Sequence, residues 1–313
     1  MDILKVKTKS NPRLDSFIID NMPTLTLGKL NKYLRENKIK LNGKKQPLST
    51  RLNYDDEVKL FLPIVSTEHQ FETAKSELDV VYEDDALLIV QKPAGLLCED
   101  AKGIQPDTLQ NRALRYLFDK GAFVPDSDGF TPCLCHRLDV GTSGLVMLAK
   151  TEESDSKVQA LIKNHKIKKE YLCVTFGIPQ APTGTLRGYL IKDAAEGHVQ
   201  VREAECKGGK EIVTQYRTLA TSGRLALLNV TLVTGRTHQI RAHLASIGCP
   251  ILGDSKYGNN AMNRAYRLKY QALCAYTLQF PKLDETVLTG VSQQSFSAEK
   301  PWYFEQIISK TLK

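Results

Sequence analysis

The sequence has no run of about 18 apolar residues, the length that a membrane-spanning helix requires. Residues 1–15 lack the continuous apolar stretch of a secretory signal. Internal repeats and low-complexity tracts are also absent from the sequence. We therefore expect a cytoplasmic protein. Its 313 residues, 42% of them hydrophobic, are enough to bury a core in one to three domains.

Cysteine occurs in a pattern that argues against a disulfide framework. There are seven cysteines, an odd number, and no two of them have CxxC spacing. Reduced thiols in a cytosolic protein explain this better than disulfide bonds do. Cys133 and Cys135 stand beside His136, but one residue between two cysteines, with no second pair downstream, is not the spacing of a zinc site. We therefore predict no metal.

Positive charge is concentrated near the start of the sequence. Residues 1–63 contain 13 Lys and Arg against 7 Asp and Glu, whereas the remaining 250 residues have a net charge of only +2. A small, strongly basic segment suits a polyanionic partner, most simply nucleic acid. The alternative is a basic surface that serves only solubility, and charge alone leaves both open.

Within this basic segment, residues 25–37 predict a helix. Its apolar residues recur with helical periodicity, at Leu27, Leu30, Tyr33 and Leu34. Its basic residues repeat every three positions on another face, at Lys29, Lys32 and Arg35. Asn37 can end the helix in a left-handed conformation. Asn42-Gly43 is a hairpin-turn signal, and residues 57–62 alternate as a strand does.

This order of elements resembles the alpha-L motif, a small RNA-binding fold often found at the N terminus of pseudouridine synthases. The resemblance covers residues 12–62 and rests on Arg13-Leu14-Asp15, the basic helix, Lys40-Leu41-Asn42-Gly43 and Asp55-Asp56. Asn37 departs from the Gly that is common in the family, but both residues tolerate positive φ. The resemblance implies an RNA-binding domain over residues 1–63. We expect Lys29, Lys32 and Arg35 to contact RNA.

The remainder of the chain predicts a second, larger domain. Residues 64–75 are polar without clear periodicity, so we predict a linker there and a catalytic domain over residues 76–313. Strands are predicted near 85–91, 144–149, 169–176 and 225–233, and several follow each other without an intervening helix. We predict helix caps at Thr151 and Thr237. The expected fold class is α+β rather than a regular parallel sheet.

The most informative segment is HRLDVGTSG at 136–144, a loop just before an apolar strand. Loops held by a sheet are common positions for catalytic groups. Asp139, flanked by Arg137 and by small turn-forming residues, has the setting of a carboxylate kept ionised. An aspartate that merely caps a turn and pairs with Arg137 is the alternative, and this motif by itself favours that alternative.

A second segment, TGRTHQIRAH at 234–243, joins a strand to a helix. Arg236 and Arg241 near a helix N-terminus suit an anion, and a bidentate contact would position Asp139. Solvated surface arginines are the alternative. His238 and His243 are five residues apart and do not share a helix face as in HExxH, which argues against a metal-dependent hydrolase.

The third segment is Lys169-Glu170-Tyr171 on a predicted strand. A tyrosine there can stack on a base or donate its hydroxyl, although a half-buried strand tyrosine is the simpler interpretation of the residue alone.

Together these segments resemble the RluA class of pseudouridine synthases, which modify the large ribosomal subunit. The matches are KPAG at 92–95, HRLDVGTSG at 136–144, KEY at 169–171, TGRTHQIRAH at 234–243, Gly248, Pro250 and GDSKYG at 253–258. They extend over most of residues 78–282. The implied fold is a mixed, largely antiparallel sheet, and the implied reaction is isomerisation of uridine to pseudouridine in RNA, without cofactor or metal.

The resemblance also implies roles for individual residues. Asp139 corresponds to the catalytic aspartate, and Arg241 would pair with it. Tyr171 would stack on the uracil and remove the proton from carbon 5. Arg137 would enter the RNA stack and help extrude the uridine, while Lys92 and Arg236 would line the substrate cleft. Departures from the family at Cys98, Cys133, Cys135 and Cys274 leave these residues intact and put substrate choice in doubt.

Three alternatives to ribosomal RNA modification stay open at this point. The same reaction on transfer RNA is the nearest one. A non-catalytic RNA-binding or ribosome-assembly factor with the same fold is the second, although it has little reason to keep Asp139, Tyr171 and Arg241 together. A hydrolase that uses the histidines and a metal is the third. A monomer is the default expectation.

Overall fold

The structure of the protein is a computed structural model. It describes residues 2–8, 10–22, 25, 27–61, 69–100, 103–125, 129–192, 198–284 and 287–312. The chain divides into two compact units, Met1–His69 and Gln70–Lys313. Within the described ranges, no helix combines the length and the apolar character needed to cross a membrane.

The first unit is a three-stranded antiparallel sheet with two helices. The strands are β1 (Asp2–Lys5), β2 (Ile39–Leu41) and β3 (Glu57–Leu60), in the order β1-β3-β2, and the helices are α1 (Leu14–Asn21) and α2 (Leu27–Arg35). The helix predicted at 25–37 and the strand predicted at 57–62 are present as α2 and β3, with shorter bounds. Asn37 has a φ of 59°, as predicted for the residue after the helix, and Asn42 and Gly43 form the turn that follows β2.

The predicted linker is only partly described, because residues 62–68 lie outside the described ranges. The part that is described differs from the prediction. Gln70–Thr73 form a turn of 3-10 helix, and Phe71 is buried against Leu114, Leu117 and Phe123. This segment therefore packs as part of the second unit. Burial of the apolar Phe71 ring is favourable, and an extended polar linker would leave that ring in water.

The second unit is built on one large sheet with helices around it. Its strands are β4 (Asp79–Glu83), β5 (Leu87–Lys92), β6 (Cys133–Leu134), β7 (Ser143–Ala149), β8 (Lys168–Phe176), β9 (Thr183–Lys192), β10 (Val199–Arg202), β11 (Lys210–Ser222), β12 (Leu225–Leu232), β13 (Leu273–Gln279) and β14 (Ser295–Ser297). Its α-helices are α3 (Leu109–Asp119), α4 (Glu152–Lys163), α5 (Gln239–Ser246), α6 (Asn260–Ala265) and α7 (Tyr303–Ile308).

The strand order is β10-β9-β11-β12-β8-β13-β7-β5-β4, with β14 beside β13 and β6 beside β7. Among the described strand pairs, β13–β7 is parallel and the others are antiparallel. The predicted mixed, largely antiparallel α+β sheet is confirmed.

The central strand β8 separates two parts of the core. Leu172 and Val174 are buried in a cluster on one face, whereas Tyr171 and Cys173 are buried in a cluster on the other. This alternation follows from the two-residue period of a strand. It directs Tyr171 to the face on which α5 packs, since Ile240 and Leu244 of that helix belong to the same cluster.

The two predicted helix caps have different outcomes. Thr151 caps α4 as predicted, because its hydroxyl accepts a hydrogen bond from the Ser154 N–H at 3.1 Å. The Thr237 cap is wrong. Helix α5 begins at Gln239, and the residue before it, His238, has a φ of 54°. The side chain of Gln239 accepts hydrogen bonds from the Thr234 hydroxyl and the Arg236 N–H, which orders this turn without Thr237.

Candidate active site

Asp139 lies in the loop that enters β7, and neighbouring segments fix the backbone of that loop. The Val140 carbonyl accepts hydrogen bonds from the Gly95 N–H at 2.7 Å and from Lys92 Nζ at 3.1 Å. On the other side of Asp139, Cys98 Sγ donates to the Leu138 carbonyl at 3.4 Å and accepts from the Leu138 N–H at 3.3 Å. The residues on both sides of the carboxylate are therefore held.

Glycine is required where the same loop becomes strand β7. Gly144 has a φ of 112°, and a Cβ there would lie 2.2 Å from the Ala275 carbonyl oxygen. The parallel pair β7–β13 therefore approaches as closely as a glycine allows. This approach brings the Asp139 loop against the start of β13.

Arg241 on α5 connects Asp139 to a second carboxylate. Its Nη1 donates to Asp139 Oδ2 at 2.7 Å, and its Nε and Nη2 donate to the two oxygens of Asp254 at 2.7 and 2.9 Å. Asp254 is fully buried, and its Oδ1 also accepts from the backbone N–H groups of Lys256 and Tyr257. All three charged groups are thus bonded, as buried charges must be.

The ionisation of this triad follows from burial and pairing. Burial acts to lower the pKa of Arg241, but its bonds and charge interactions with Asp254 and Asp139 outweigh burial and raise it above the ordinary value. Burial acts to raise the pKa of Asp254, but the Arg241 guanidinium overcomes this and holds it below the usual range. Arg241 and Asp254 therefore form an ion pair that is charged at neutral pH.

Tyr257 and His238 form a further layer around Asp139. The Arg241 guanidinium lies 5.3 Å from the centre of the Tyr257 ring. The Tyr257 hydroxyl accepts from the Val199 N–H at 2.9 Å and is hydrogen-bonded to His238 Nδ1, also at 2.9 Å. His238 Nε2 lies 3.7 Å from Asp139 Oδ2, and burial lowers the pKa of His238.

Tyr171 is buried and borders the same space as Asp139. Burial, and then the nearby charge of Asp139, raise the pKa of Tyr171 well above its ordinary value. Tyr171 is therefore a neutral phenol at physiological pH.

Asp139, Tyr171 and Arg241 line one open cleft of about 1220 Å³. Seven of the residues that line it are basic: Arg137, Lys163, Lys169, Arg236, Arg241, Lys256 and Lys269. The acidic residues of the lining are Glu99 and Asp139. A cleft with this excess of positive charge attracts a polyanion.

The RNA-contacting residues predicted from sequence have different positions. Arg137 borders the cleft with a side chain that is 71% exposed and a single 3.4 Å contact to Glu99, and Arg236 is exposed at the same cleft. The prediction for Lys92 is wrong, because its side chain is fully buried and donates to the carbonyls of Pro93, Leu96 and Val140. It braces the Asp139 loop and does not line this cleft.

The predicted RNA-binding helix is α2 of the first unit. Arg35 is exposed there. The side chains of Lys29 and Lys32 lie outside the described part of the chain. Their contact with RNA stays a prediction.

Three residues around Asp139 had not been predicted: Asp254, Tyr257 and Gln239. The first two belong to the GDSKYG segment, which had been noted only as part of a pattern. Gln239 is buried, and its amide donates to the Val213 carbonyl and the Thr214 hydroxyl. Each of the three also has a distant partner, 13 to 58 residues away along the chain: Arg241 for Asp254, Val213 and Thr214 for Gln239, and His238 and Val199 for Tyr257. The sequence carries no local signal for these distant contacts.

The histidines are engaged in structural contacts. His243 is buried, with Nδ1 3.0 Å from the Thr214 hydroxyl, and His238 is bonded to Tyr257. Over the residues that the structure describes, no three His, Cys, Asp or Glu side chains are grouped closely enough to hold a metal ion. The hydrolase alternative therefore gains no support from the histidines.

Comparison with known proteins identifies the fold and the chemistry. The family model described as RNA pseudouridylate synthase matches residues 86–246, which include Asp139, Tyr171 and Arg241. The chain belongs to the RNA pseudouridylate synthase family. It is therefore an enzyme that isomerises uridine to pseudouridine in RNA, and the predicted reaction and enzyme class are confirmed.

Individual relatives agree with the family. An uncharacterized RNA pseudouridine synthase of Mycoplasma genitalium is 31% identical over 96% of this chain and 97% of its own length. A ribosomal large subunit pseudouridine synthase C of Rickettsia conorii is 34% identical over 82% of this chain and 86% of its own. The solved structure of human RNA pseudouridylate synthase domain containing 4 has a TM-score of 0.58 at 22% identity, over 74% of this chain and 92% of that one. This likeness shows the shared fold.

Proposed function

We propose that this synthase converts specific uridines of large-subunit ribosomal RNA and that Asp139 is its catalytic carboxylate. The observation that carries the proposal is the 2.7 Å bond from Arg241 to Asp139 inside a cleft lined by basic residues. The choice of ribosomal RNA is supported by the Rickettsia relative, whose name states that substrate. A cytoplasmic location and a monomeric state stay predictions from sequence.

The two oxygens of Asp139 have different surroundings. Oδ2 accepts the bond from Arg241 and is the oxygen nearest His238. Oδ1 accepts no hydrogen bond from the described residues, and the side chain is 26% exposed where it borders the cleft. We assign Oδ1 as the oxygen that meets the substrate. The bond from Arg241 orients the carboxylate for this contact.

The reaction requires one bond to break and another to form on the same ribose. The bond between ribose C1′ and uracil N1 breaks, and its electron pair leaves with the uracil. Asp139 assists either by attacking C1′ or by removing a proton from C2′. The detached base turns, and carbon 5 forms the new bond to C1′ as the bond from Asp139 breaks or as C2′ regains its proton. The proton on carbon 5 is finally lost and N1 gains one, so the product is an isomer of the substrate. No external reactant enters this sequence.

Tyr171 is proposed to stack on the uracil and to accept the proton from carbon 5. Because its raised pKa keeps it a neutral phenol, Tyr171 can take that proton only while passing its own to an acceptor. The Asp139 carboxylate borders the same cleft and is the candidate acceptor. Stacking on an aromatic ring returns about 1–3 kcal/mol of the cost of extruding the base.

Arg137 and Arg236 are proposed to bind the RNA around the extruded uridine. Both are exposed at the cleft, and among the described residues Arg137 has only its long contact to Glu99 to give up. The first unit is proposed to bind RNA through α2, with Lys29, Lys32 and Arg35. Replacing these three residues by Gln in the full chain should weaken RNA binding and flatten its salt dependence, because phosphate contacts release counterions. An unchanged salt slope would mean that the second unit makes these phosphate contacts alone.

Pseudouridine mapping of total RNA tests the proposal. Cells lacking the protein are compared with cells rescued by the wild type, by Asp139→Asn or by Asp85→Asn, the last an exposed aspartate that serves as the matched control. We expect at least one site in large-subunit ribosomal RNA to be lost, and to be restored by the wild type and by Asp85→Asn only. Restoration by Asp139→Asn would refute the role of Asp139, and lost sites confined to transfer RNA would refute the proposed substrate.

A further inference from the structure

Lys169 on β8 borders the cleft beside the proposed base-stacking tyrosine. It precedes Tyr171 by two residues, and both side chains line the cleft whereas Glu170 between them does not. The strand pairs with β12 without a register shift, with Lys169 opposite Leu232 and Tyr171 opposite Val230. The two residues therefore stand about 7 Å apart on one face of the strand, at a rise of about 3.3 Å per residue.

The other partly or fully buried cations of this site have protein acceptors. Arg241 is bonded to two carboxylates, and Lys92 to three carbonyl groups. Lys169 is partly buried, yet within the described ranges its ammonium has neither a hydrogen bond nor an ion pair to a protein group. The lysines elsewhere in the cleft lining are exposed and can be solvated: Lys163, Lys256 and Lys269.

The neighbours of Lys169 do not compensate its charge. Leu232 lies opposite it on β12 and Leu278 opposite it on β13. His136 is near, but burial, and then the charge of Lys169, lower the pKa of His136 to about 3, so the ring is neutral and supplies no anion. Burial also lowers the pKa of Lys169, which is the signature of a cation that has lost water without gaining a partner.

We propose that Lys169 is an anion-binding position of the cleft, which takes an oxyanion that the RNA substrate supplies. This inference rests on the proposed function of the cleft. Two groups of the substrate have the required chemistry. One is a backbone phosphate next to the target uridine. The other is the uracil itself, which carries the electron pair of the broken C1′–N1 bond and places negative charge on its ring nitrogen and carbonyl oxygens.

Position and flexibility make the uracil anion a suitable ligand. A base stacked on Tyr171 lies within reach of a lysine two residues away on the same face. The base must turn before carbon 5 meets the ribose, and the flexible stem of a lysine allows its ammonium to stay with the moving charge. Lys169 forms and breaks no covalent bond in this role. It contributes electrostatic stabilisation where charge develops.

Substitution of Lys169 distinguishes the two sources of the anion. Lys169→Met removes the charge at similar volume, Lys169→Arg retains it, and Lys163→Met removes a charge from an exposed position of the same cleft. The RNA is the substrate identified by pseudouridine mapping. Single-turnover rates are measured at saturating RNA, and the dissociation constant for the same RNA is measured as a function of salt.

Each result has a defined meaning. A rate about 100-fold lower for Lys169→Met, with unchanged affinity and partial recovery in Lys169→Arg, identifies the uracil anion. Weaker binding, with a salt slope reduced by about one, identifies a phosphate. If Lys169→Met keeps the wild-type rate, affinity and salt slope, the inference is overturned.

The two proposals can fail separately. A wild-type protein that forms no pseudouridine in any RNA would refute the proposed function. The affinity and salt slope of Lys169→Met for a structured RNA would still show whether this lysine binds a phosphate. Conversely, if the wild type is active and Lys169→Met has the same rate, affinity and salt slope, only the anion-binding position is refuted.

Discussion

Replacing Asp254 by Asn should destabilise the second unit strongly and slow the reaction. Asp254 is fully buried and holds Arg241 through bonds of 2.7 and 2.9 Å. The amide keeps the shape but removes the charge, so Arg241 stays buried with Asp139 as its remaining carboxylate. Breaking one partner of a buried ion pair costs about 3–5 kcal/mol. That is a large share of the about 5–15 kcal/mol that stabilises a typical folded protein.

Asp107 provides a matched control for this experiment. Arg112 binds Asp107 with the same pair of distances, 2.7 and 2.9 Å, but the Asp107 side chain is 35% exposed. Asp107→Asn should therefore cost about 1 kcal/mol or less. The comparison keeps the bidentate Arg–carboxylate geometry and contrasts a buried carboxylate with a partly exposed one.

Urea unfolding followed by tryptophan fluorescence measures both variants. The chain has one tryptophan, Trp302, and it lies in the second unit, so the signal reports this unit rather than the first. Equal free energies of unfolding for Asp254→Asn and Asp107→Asn would refute the argument that burial makes the Arg241–Asp254 pair important. If Asp139 is the catalytic carboxylate, as proposed, the single-turnover rate should fall by about 100-fold for Asp254→Asn alone, because a small displacement of a catalytic group costs that much.

The pH dependence of the same experiment has a definite sign. The pKa of Asp254 is lowered in the folded protein, because Arg241 outweighs burial. Its contribution is therefore fully present above the unfolded value of about 3.9 and is lost as the pH falls through the lower, folded pKa. The difference between wild type and Asp254→Asn should be constant near neutrality and shrink only in acid. A difference that shrinks at neutral pH would contradict this assignment.

Three further predictions test other parts of the site. Burial lowers the pKa of Lys92 to about 8, so between pH 8 and the unfolded value of about 10.4 the unfolded chain binds a proton that the folded chain lacks. In urea titrations, the free energy of unfolding of the wild type relative to Lys92→Met should therefore rise by up to about 3 kcal/mol as the pH increases across this range. A difference that stays constant with pH would count against a charged, buried Lys92. Gly144→Ala should lower the free energy of unfolding by about 1–3 kcal/mol more than Gly208→Ala does, because both glycines have positive φ but only a Cβ at Gly144 meets the Ala275 carbonyl. Equal urea midpoints for the two variants would contradict this close approach. Arg137→Ala should leave stability within about 0.5 kcal/mol of the wild type and weaken RNA binding by about 1–3 kcal/mol in a filter assay, whereas an unchanged affinity would remove Arg137 from the RNA contacts.

Much of the fold was predictable because its signals are local. The Thr151 cap, the left-handed Asn37 and the strand that carries Tyr171 each depend on residues within a few positions of one another. The Thr237 cap was wrong for a reason that is not local. The turn before α5 is ordered by Gln239, whose amide is fixed by Val213 and Thr214 on β11, about 25 residues earlier in the chain.

The site was predictable only as a set of residues. The pairing of Arg241 with Asp139 was expected from the resemblance to the family, and the structure has that contact across 102 residues of sequence. The role of Lys92 could not be inferred in this way. The resemblance implied that Lys92 lines the substrate cleft, and only the fold shows that three carbonyl groups enclose its ammonium.

The cations of the site divide into two groups by the partners that the protein gives them. Arg241 is neutralised by Asp139 and Asp254, and Lys92 is enclosed by carbonyls, so neither needs an anion from the substrate. Bonded in this way, they hold the carboxylate in place before RNA binds, which is the arrangement that electrostatic catalysis requires. Arg137, Arg236 and Lys169 have few or no protein partners within the described residues, and their charge is therefore available to the RNA. On this division, loss of a cation from the first group should lower both stability and rate, whereas loss of one from the second should lower RNA binding or rate and leave stability intact.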